Sequence, residues 1–234
     1  PSKVYRSLTF MGQQFETAWH DSQFVNLGFE PGSLKNIVVA GMGGSNLAAH
    51  IVSSLSPLLL KVPFEIVANY RLPSYVDKNS LVIITSYSGN TEETLSCAQD
   101  TKQRHSHCVA ITTGGKLKDI TLTEHWPLIL LDDKLNPSRM PRLGLGLMLG
   151  ATLGLLVRTN PEAYHFIDPK EITRIIERGL EGLNQNLATE SNPAKALAQK
   201  NKGQSLVLFS ANHLDGVAKT ASNLLNETSK TFST

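Results

Sequence analysis

Short runs of apolar, mostly β-branched residues recur along the first 131 positions, and each run is bounded by polar or turn-forming residues. Such runs are typical of strands that are buried on both faces of a sheet. The pattern predicts five strands, at Ile37–Ala40, Phe64–Ala68, Leu81–Thr85, Cys108–Thr112 and Pro127–Leu131.

The segments around these strands have the length and composition of helices, and alternating strands and helices indicate an α/β fold with a mostly parallel sheet. In the helix predicted over 141–158, Gly146, Gly150 and Gly154 recur every four residues, so they share a face where a neighbouring element can approach closely. The other helices are predicted at 5–27 (as one or two helices), 45–57, 91–104 and 115–124.

The pattern changes after residue 160. Isoleucine and leucine at helical spacing predict an amphipathic helix over 170–188, followed by a strand at Ser205–Phe209 and a helix over 213–230. One strand cannot form a sheet, so we expect an incomplete unit that other contacts complete. The predicted division is a first domain at 1–160 and a partial second domain at 161–234.

Two strands are followed by loops with unusual chemistry. Gly41–Asn46 is glycine-rich, and it exposes backbone N–H groups beside Ser45 at a helix start. The dinucleotide-binding fingerprint fails at Asn46, where it needs a third small residue, and no Walker motif is present. The loop suits an oxyanion at a helix N-terminus, or it is a tight turn with Ser45 as the N-cap.

The second loop, Ser86–Thr94, follows the third predicted strand. Ser86, Ser88 and Thr91 supply three hydroxyls within six residues, which together with a helix N-terminus can hold a phosphate without a lysine. The alternative is a capping box formed by Asn90 and Glu93, which one hydroxyl would satisfy. With a strand order of 2-1-3-4-5, the two loops would lie side by side, and this arrangement favours the anion site.

Composition narrows the function classes. The 22 basic and 20 acidic residues leave a formal net charge of +2, with no Lys/Arg run, which argues against nucleic-acid binding and membrane-surface binding. Cys97 and Cys108 form neither a disulfide framework nor a zinc-site spacing, and they suit a cytoplasmic protein. The N-terminal residues lack the apolar core of a signal peptide, and the 15-residue run Leu143–Val157 is too short to span a membrane.

Five ordered blocks resemble the bifunctional phosphoglucose/phosphomannose isomerase family of the sugar isomerase (SIS) superfamily. The chain is similar to the family's first glycine loop, to its LPxxVDxxTLVIxxSYSGNTEETL stretch, and to its AITSGGKL, PRAALGY and LNENAK segments. The matching blocks are Gly41–Ser45, Leu72–Leu95, Ala110–Leu117, Pro141–Gly146 and Ala218–Lys230. The resemblance implies a three-layer αβα SIS fold with a five-stranded parallel sheet in the order 2-1-3-4-5, plus part of a second SIS domain.

The resemblance also implies an activity and roles for residues. The family interconverts glucose 6-phosphate and mannose 6-phosphate with fructose 6-phosphate through a cis-enediolate, with neither metal nor cofactor. By position, Glu227 would be the catalytic base, and Arg142 would stabilise the enediolate. The substrate phosphate would be bound by the glycine loop and the hydroxyls, namely Gly43, Gly44, Ser45, Ser86, Ser88 and Thr91.

The chain also departs from the family pattern. The family places a ring-opening histidine, and then a lysine, beyond the glutamate helix, after the last residue of this sequence, and His213 lies before that helix. Two alternatives therefore stay open: a non-catalytic sugar-phosphate-binding or regulatory protein, and an SIS enzyme for amino sugar or pentose phosphates. The family assembles its active site at a dimer interface, so the resemblance implies a homodimer that would also cover the partial second domain.

Overall fold

A five-stranded, all-parallel sheet in the order β2-β1-β3-β4-β5 forms the centre of the molecule. The computed structural model describes residues 2–234, so that Pro1, the first residue of the predicted first domain, lies outside the described residues. All five predicted strands and their order are confirmed. The strands are β1 Asn36–Gly41, β2 Phe64–Val67, β3 Ser80–Thr85, β4 His107–Thr112 and β5 Leu128–Leu130.

Helices cover both faces of the sheet and make the predicted three layers. Nine α-helices are assigned within residues 2–234: α1 Ser2–Thr9, α2 Met11–Phe24, α3 Leu47–Leu59, α4 Glu92–Gln103, α5 Gly115–Thr123, α6 Leu145–Thr159, α7 Pro169–Glu181, α8 Pro193–Lys200 and α9 Asp215–Leu224. Alternate strand residues point to opposite faces. Val39 and Ile83 pack with residues of α2, α3 and α6, whereas Val38 and Ile84 pack with residues of α4 and α5.

Helices α2 and α6 lie against each other with almost no side chain between their backbones. A Cβ atom on Gly150 would lie 2.2 Å from the Phe15 carbonyl oxygen, and one on Gly146 would lie 2.5 Å from the Met11 carbonyl oxygen. The close approach predicted for this glycine face is therefore present. Gln14 of α2 also bonds to the 3₁₀ turn just before α6, because its Nε2 donates to the carbonyl oxygen of Leu143, 3.2 Å away.

The segment after residue 160 differs from the sequence-based prediction in three ways. The predicted strand at Ser205–Phe209 forms only an isolated parallel bridge between Leu206 and Ser233. The helix predicted over 170–188 ends at Glu181. Helix α8 was not predicted, although Asn192 caps it by accepting from the Lys195 N–H at 3.1 Å and Pro193 occupies its first turn.

Helix α9 connects this segment to the sheet domain by packing on α3. The Gly216 N–H donates to Ser54 Oγ at 2.7 Å, and Thr220 Oγ1 donates to the Leu47 carbonyl at 3.4 Å. The chain continues without a break from α9 into a five-residue π-helix, Leu225–Ser229. This placement brings the end of α9 above the loop that follows β1.

Candidate functional site

The two loops singled out in the sequence meet at the carboxyl ends of β1 and β3. A 3₁₀-helix, Gly43–Asn46, follows β1, and α3 begins only at Leu47, so Ser45 does not cap α3 as one interpretation expected. Instead, the Ser45 hydroxyl accepts a hydrogen bond from the Tyr87 N–H at 2.9 Å. This bond joins the loops directly and confirms that they lie side by side.

The hydroxyl-rich loop is internally ordered. Ser86 is buried, and its Oγ lies 3.0 Å from Thr91 Oγ1 and accepts from the Gly89 N–H at 3.1 Å. Ser88 is exposed and accepts from the Asn90 N–H at 3.3 Å. The three hydroxyls therefore lie in the loop that leads into α4, and the first N–H groups of a helix generally favour an anion.

The capping box considered from the sequence does not form. Thr91, rather than Asn90, occupies the N-cap position of α4, and it makes no side-chain capping bond. The Asn90 Oδ1 atom accepts from the Lys116 N–H at 3.2 Å, which ties this loop to α5 instead. Capping of α4 therefore does not account for the three hydroxyls, and anion binding stays a prediction.

An ion pair lies beside the glycine loop and joins two distant parts of the chain. Arg142 lies in a 3₁₀ turn, Pro141–Leu143, just before α6, and its Nη1 donates to Glu227 Oε2 at 3.2 Å. Its Nε donates to Thr228 Oγ1 at 3.0 Å, and its Nη2 to Met140 Sδ at 3.3 Å. The side chains of Arg142 and Glu227 are 19% and 39% exposed, so a ligand can reach both.

Glycine at position 44 allows this pair to approach the loop. A Cβ atom on Gly44 would lie 3.0 Å from the backbone nitrogen of Arg142 and 3.2 Å from the Pro141 Cβ, which is closer than ordinary packing. Gly43 has a φ of +52°, a conformation that favours glycine. The glycine loop therefore brings backbone N–H groups, a cation and a carboxylate to one end of the sheet.

A cleft of about 630 Å³ opens next to this end of the sheet, between α3 and α9. Gly43, His50, Lys219 and Asn226 are among its lining residues, but Arg142 and Glu227 do not line it. Burial, and then the positive charge of Lys219, lowers the pKa of His50 below its ordinary value. The cleft thus borders the Arg142–Glu227 pair and is separate from it.

No pattern in the sequence predicts two of the contacts at the site. The hydroxyl of Thr228 and the backbone N–H of Tyr87 both take part, yet neither was predicted. Within residues 2–234 there is no cluster of three or more His, Cys, Asp or Glu side chains that could hold a metal ion. None of the helices described is both long and apolar enough to cross a membrane.

Comparison with known proteins gives consistent results. Residues 33–118 match the SIS domain. The chain is 30% identical over 203 residues to a bifunctional phosphoglucose/phosphomannose isomerase of Caldicellulosiruptor bescii. This alignment covers 84% of this chain and 57% of that protein. It is 31% identical over 229 residues to the protein of the same name from Aquifex aeolicus. That alignment covers 97% of this chain and 64% of the relative.

The fold also matches a solved structure. A proposed tagatose-6-phosphate ketose/aldose isomerase from Clostridium novyi superimposes with a TM-score of 0.66 at 16% identity, covering 100% of this chain and 62% of that one. At this identity the likeness shows the shared fold alone. The chain spans about three fifths of the length of the two curated relatives and of this structure.

Proposed function

The chain is an SIS-domain protein that resembles bifunctional phosphoglucose/phosphomannose isomerases over most of its length, and from this premise we propose that it is a sugar-phosphate isomerase. The observation that carries the proposal is the contact between Arg142 and Glu227, which are 85 residues apart in sequence and meet beside the glycine loop. The reaction proposed is the interconversion of aldose and ketose 6-phosphates.

The phosphate is bound by the two loops at the carboxyl ends of β1 and β3. The hydroxyls of Ser86, Ser88 and Thr91 and the backbone N–H groups of Gly43 and Gly44 supply neutral donors, which fits a chain with a net charge of only +2. Hydrogen bonds to a charged group contribute about 1.5 kcal/mol or more each. Ser88→Ala removes an exposed hydroxyl, so we expect it to weaken substrate binding about tenfold with little effect on folding.

Proton transfer is assigned to Glu227. Its carboxylate removes the proton from C2 of the open-chain aldose phosphate and returns it to C1, while the hydroxyl proton moves from O2 to O1. The intermediate carries negative charge on its enediolate oxygens, and the guanidinium of Arg142 stabilises that charge. Since C2 becomes planar in this intermediate, the C2 epimers glucose 6-phosphate and mannose 6-phosphate share it with fructose 6-phosphate.

The decisive experiment replaces Glu227 with glutamine and measures turnover of the three hexose 6-phosphates in coupled assays. We expect Glu227→Gln to abolish isomerisation while fructose 6-phosphate still raises the melting temperature, because the phosphate loops are unchanged. The exposed Glu190, far along the chain from the site, provides the matched control Glu190→Gln, which should keep full activity. Retained activity in Glu227→Gln would rule out its role as the base.

One observation favours a second candidate, a non-catalytic sugar-phosphate-binding or regulatory protein. Among the hydrogen bonds of residues 2–234, no histidine contacts Arg142 or Glu227, so ring opening has no assigned acid–base group there. The same assays separate the two candidates. Binding of hexose 6-phosphates without any turnover, in wild-type protein, would favour the regulatory function.

The proposal also includes a homodimer that shares its active site between subunits, and a location in the cytoplasm. Residues 161–234 would begin a second SIS domain, which is supported by the backbone bonds from Leu206 to Phe232 and from Leu208 to Thr234, at 3.0 and 2.9 Å. Phe209 is 94% exposed and Phe232 is 67% exposed, which gives a partner apolar surface to cover. Light scattering after size exclusion should give twice the chain mass of 25.5 kDa, and a monomer would refute the dimer. The free cysteines Cys97 and Cys108 support a reducing compartment.

A further inference from the structure

We propose that Thr228 is a positioning residue for the isomerisation, because its hydroxyl fixes the orientation of the Arg142 guanidinium toward the reacting atoms. Thr228 Oγ1 accepts from Arg142 Nε at 3.0 Å, while Glu227 accepts from Nη1 at 3.2 Å. The inference rests on the proposed function, since it assigns a task to Arg142 in the same reaction.

The unusual feature is that two consecutive residues of a helix bind the same guanidinium. On an α-helix, side chains at i and i+1 do not face a common partner. Here both residues lie in the π-helix Leu225–Ser229, whose wider turn changes the direction of successive side chains. Such π turns occur often at functional sites. The local backbone therefore places the proposed base and the Thr228 hydroxyl on one side of Arg142.

The donor count of the guanidinium shows what this arrangement leaves for a ligand. Arginine has five N–H donors in one plane. Thr228, Glu227 and the sulfur of Met140 accept from Nε, Nη1 and Nη2 respectively, so three donors are in use and two remain. Contacts at all three nitrogens fix the rotation of the plane, so the two remaining donors have a defined direction. Without the Thr228 hydroxyl, only the contacts at Nη1 and Nη2 remain, so the plane is held less firmly in that direction.

A positioning role predicts a particular kinetic change. A shift of a reacting group by about 1 Å costs up to about a hundredfold in rate. We expect Thr228→Val, which keeps the shape of the side chain, to lower kcat about tenfold while KM stays within about twofold, because the phosphate loops are untouched. Thr228→Ser restores the hydroxyl and should recover most of kcat.

Thr123→Val is the matched control, because Thr123 is also an exposed helical threonine but its hydroxyl bonds only to the Asp119 carbonyl of its own helix, at 2.9 Å. We expect wild-type kinetics from this variant. The melting temperatures of all three variants should lie close to that of the wild type.

Binding provides a readout that does not depend on turnover. A phosphorylated pentonohydroxamate carries a planar anion like that of the enediolate, whereas glucitol 6-phosphate has the phosphate but no such anion. Calorimetry should show that Thr228→Val loses about tenfold affinity for the hydroxamate and none for glucitol 6-phosphate. If Thr228→Val binds the hydroxamate as tightly as the wild-type protein does, the positioning role is overturned.

The outcomes separate this inference from the proposed function. If Glu227→Gln is inactive but Thr228→Val retains its kcat, or if Thr228→Ser fails to restore it, Thr228 has no positioning role and the isomerase proposal stands. If Glu227→Gln is fully active, or if wild-type protein binds the hydroxamate no better than glucitol 6-phosphate, the proposed chemistry fails and the role of Thr228 fails with it.

Discussion

Replacement of Gly150 by alanine tests whether close backbone contact between α2 and α6 holds the sheet domain together. The new Cβ would lie 2.2 Å from the Phe15 carbonyl oxygen and 2.9 Å from the Trp19 nitrogen, and both are backbone atoms that cannot turn away. Ordinary contacts of carbon atoms begin at about 3.5 Å, so the two helices must separate by about 1 Å.

Two opposing terms set the size of the effect. Alanine is favoured over glycine inside a helix by about 0.8–1.0 kcal/mol. Overpacking of a well-packed core costs about 1–3 kcal/mol, and a backbone clash belongs at the upper end of that range. We therefore expect Gly150→Ala to lower the free energy of unfolding by about 1–2 kcal/mol.

Gly179 provides the control, because it is an exposed glycine inside α7, and a Cβ atom there would meet nothing within 4 Å. Gly179→Ala should raise the free energy of unfolding by about 0.5–1 kcal/mol. For a chain of this size, a difference of about 2.5 kcal/mol separates the two melting temperatures by about 5–10 °C. Thermal and urea denaturation followed by circular dichroism would measure it. If Gly150→Ala is as stable as Gly179→Ala, the α2–α6 contact is not as close as described.

Three further predictions concern buried and half-buried groups. Burial raises the pKa of Cys97 to about 11 and that of Cys108 well above its ordinary value. Ellman's reagent at pH 8 should therefore label neither thiol in the native protein and both thiols in denaturant. Rapid labelling of the native protein would contradict this prediction. Because the pKa of His50 is lowered in the folded state, the unfolded state binds the proton more readily, and the free energy of unfolding should fall as the pH drops below about 6.5. His50→Gln should show a smaller fall between pH 7.5 and 5.5 in urea titrations, and an identical fall would refute the assignment. The Asp100 carboxylate is 5% exposed and accepts from Arg104 Nη2 at 3.4 Å and from the Leu72 N–H at 3.1 Å. Asp100→Ala should therefore lower the free energy of unfolding by about 3 kcal/mol. A loss below about 1 kcal/mol, the range of an exposed ion pair, would contradict this prediction.

The sheet could be predicted because burial on both faces leaves a clear mark in the sequence. Each strand of the sheet is a short apolar run, and its neighbours in space supply the burial that the run requires. The run at Ser205–Phe209 has the same local pattern but pairs only through the bridge between Leu206 and Ser233. Val207 is 60% exposed there. A local pattern shows that a segment can form a strand, whereas strand formation depends on partners elsewhere in the chain.

The candidate site was predictable to different degrees. The hydroxyl loop and the glycine loop follow directly from the chemistry of residues at strand ends, because that end of a parallel sheet is where ligands bind. Arg142 and Glu227 carried no such local signal, and only the family resemblance pointed to them. The contact of Thr228 with Arg142 could not be predicted from the sequence. Side chains of consecutive residues on an α-helix point in different directions, and no sequence pattern predicted the π-helix.

The contact between α2 and α6 also has a consequence for synthesis of the protein. Gln23 of α2 donates to the carbonyl of Gly154 in α6 at 3.2 Å across 131 positions of sequence. At a translation rate of about 5–20 residues per second, α2 leaves the ribosome on the order of 10 s before its partner. During that time the side of α2 that later packs on α6, including Phe15 and Trp19, has no native helix to cover it. Slower translation of the intervening residues would lengthen the exposure of this apolar surface, and exposed apolar surface is what makes incompletely folded chains prone to aggregate.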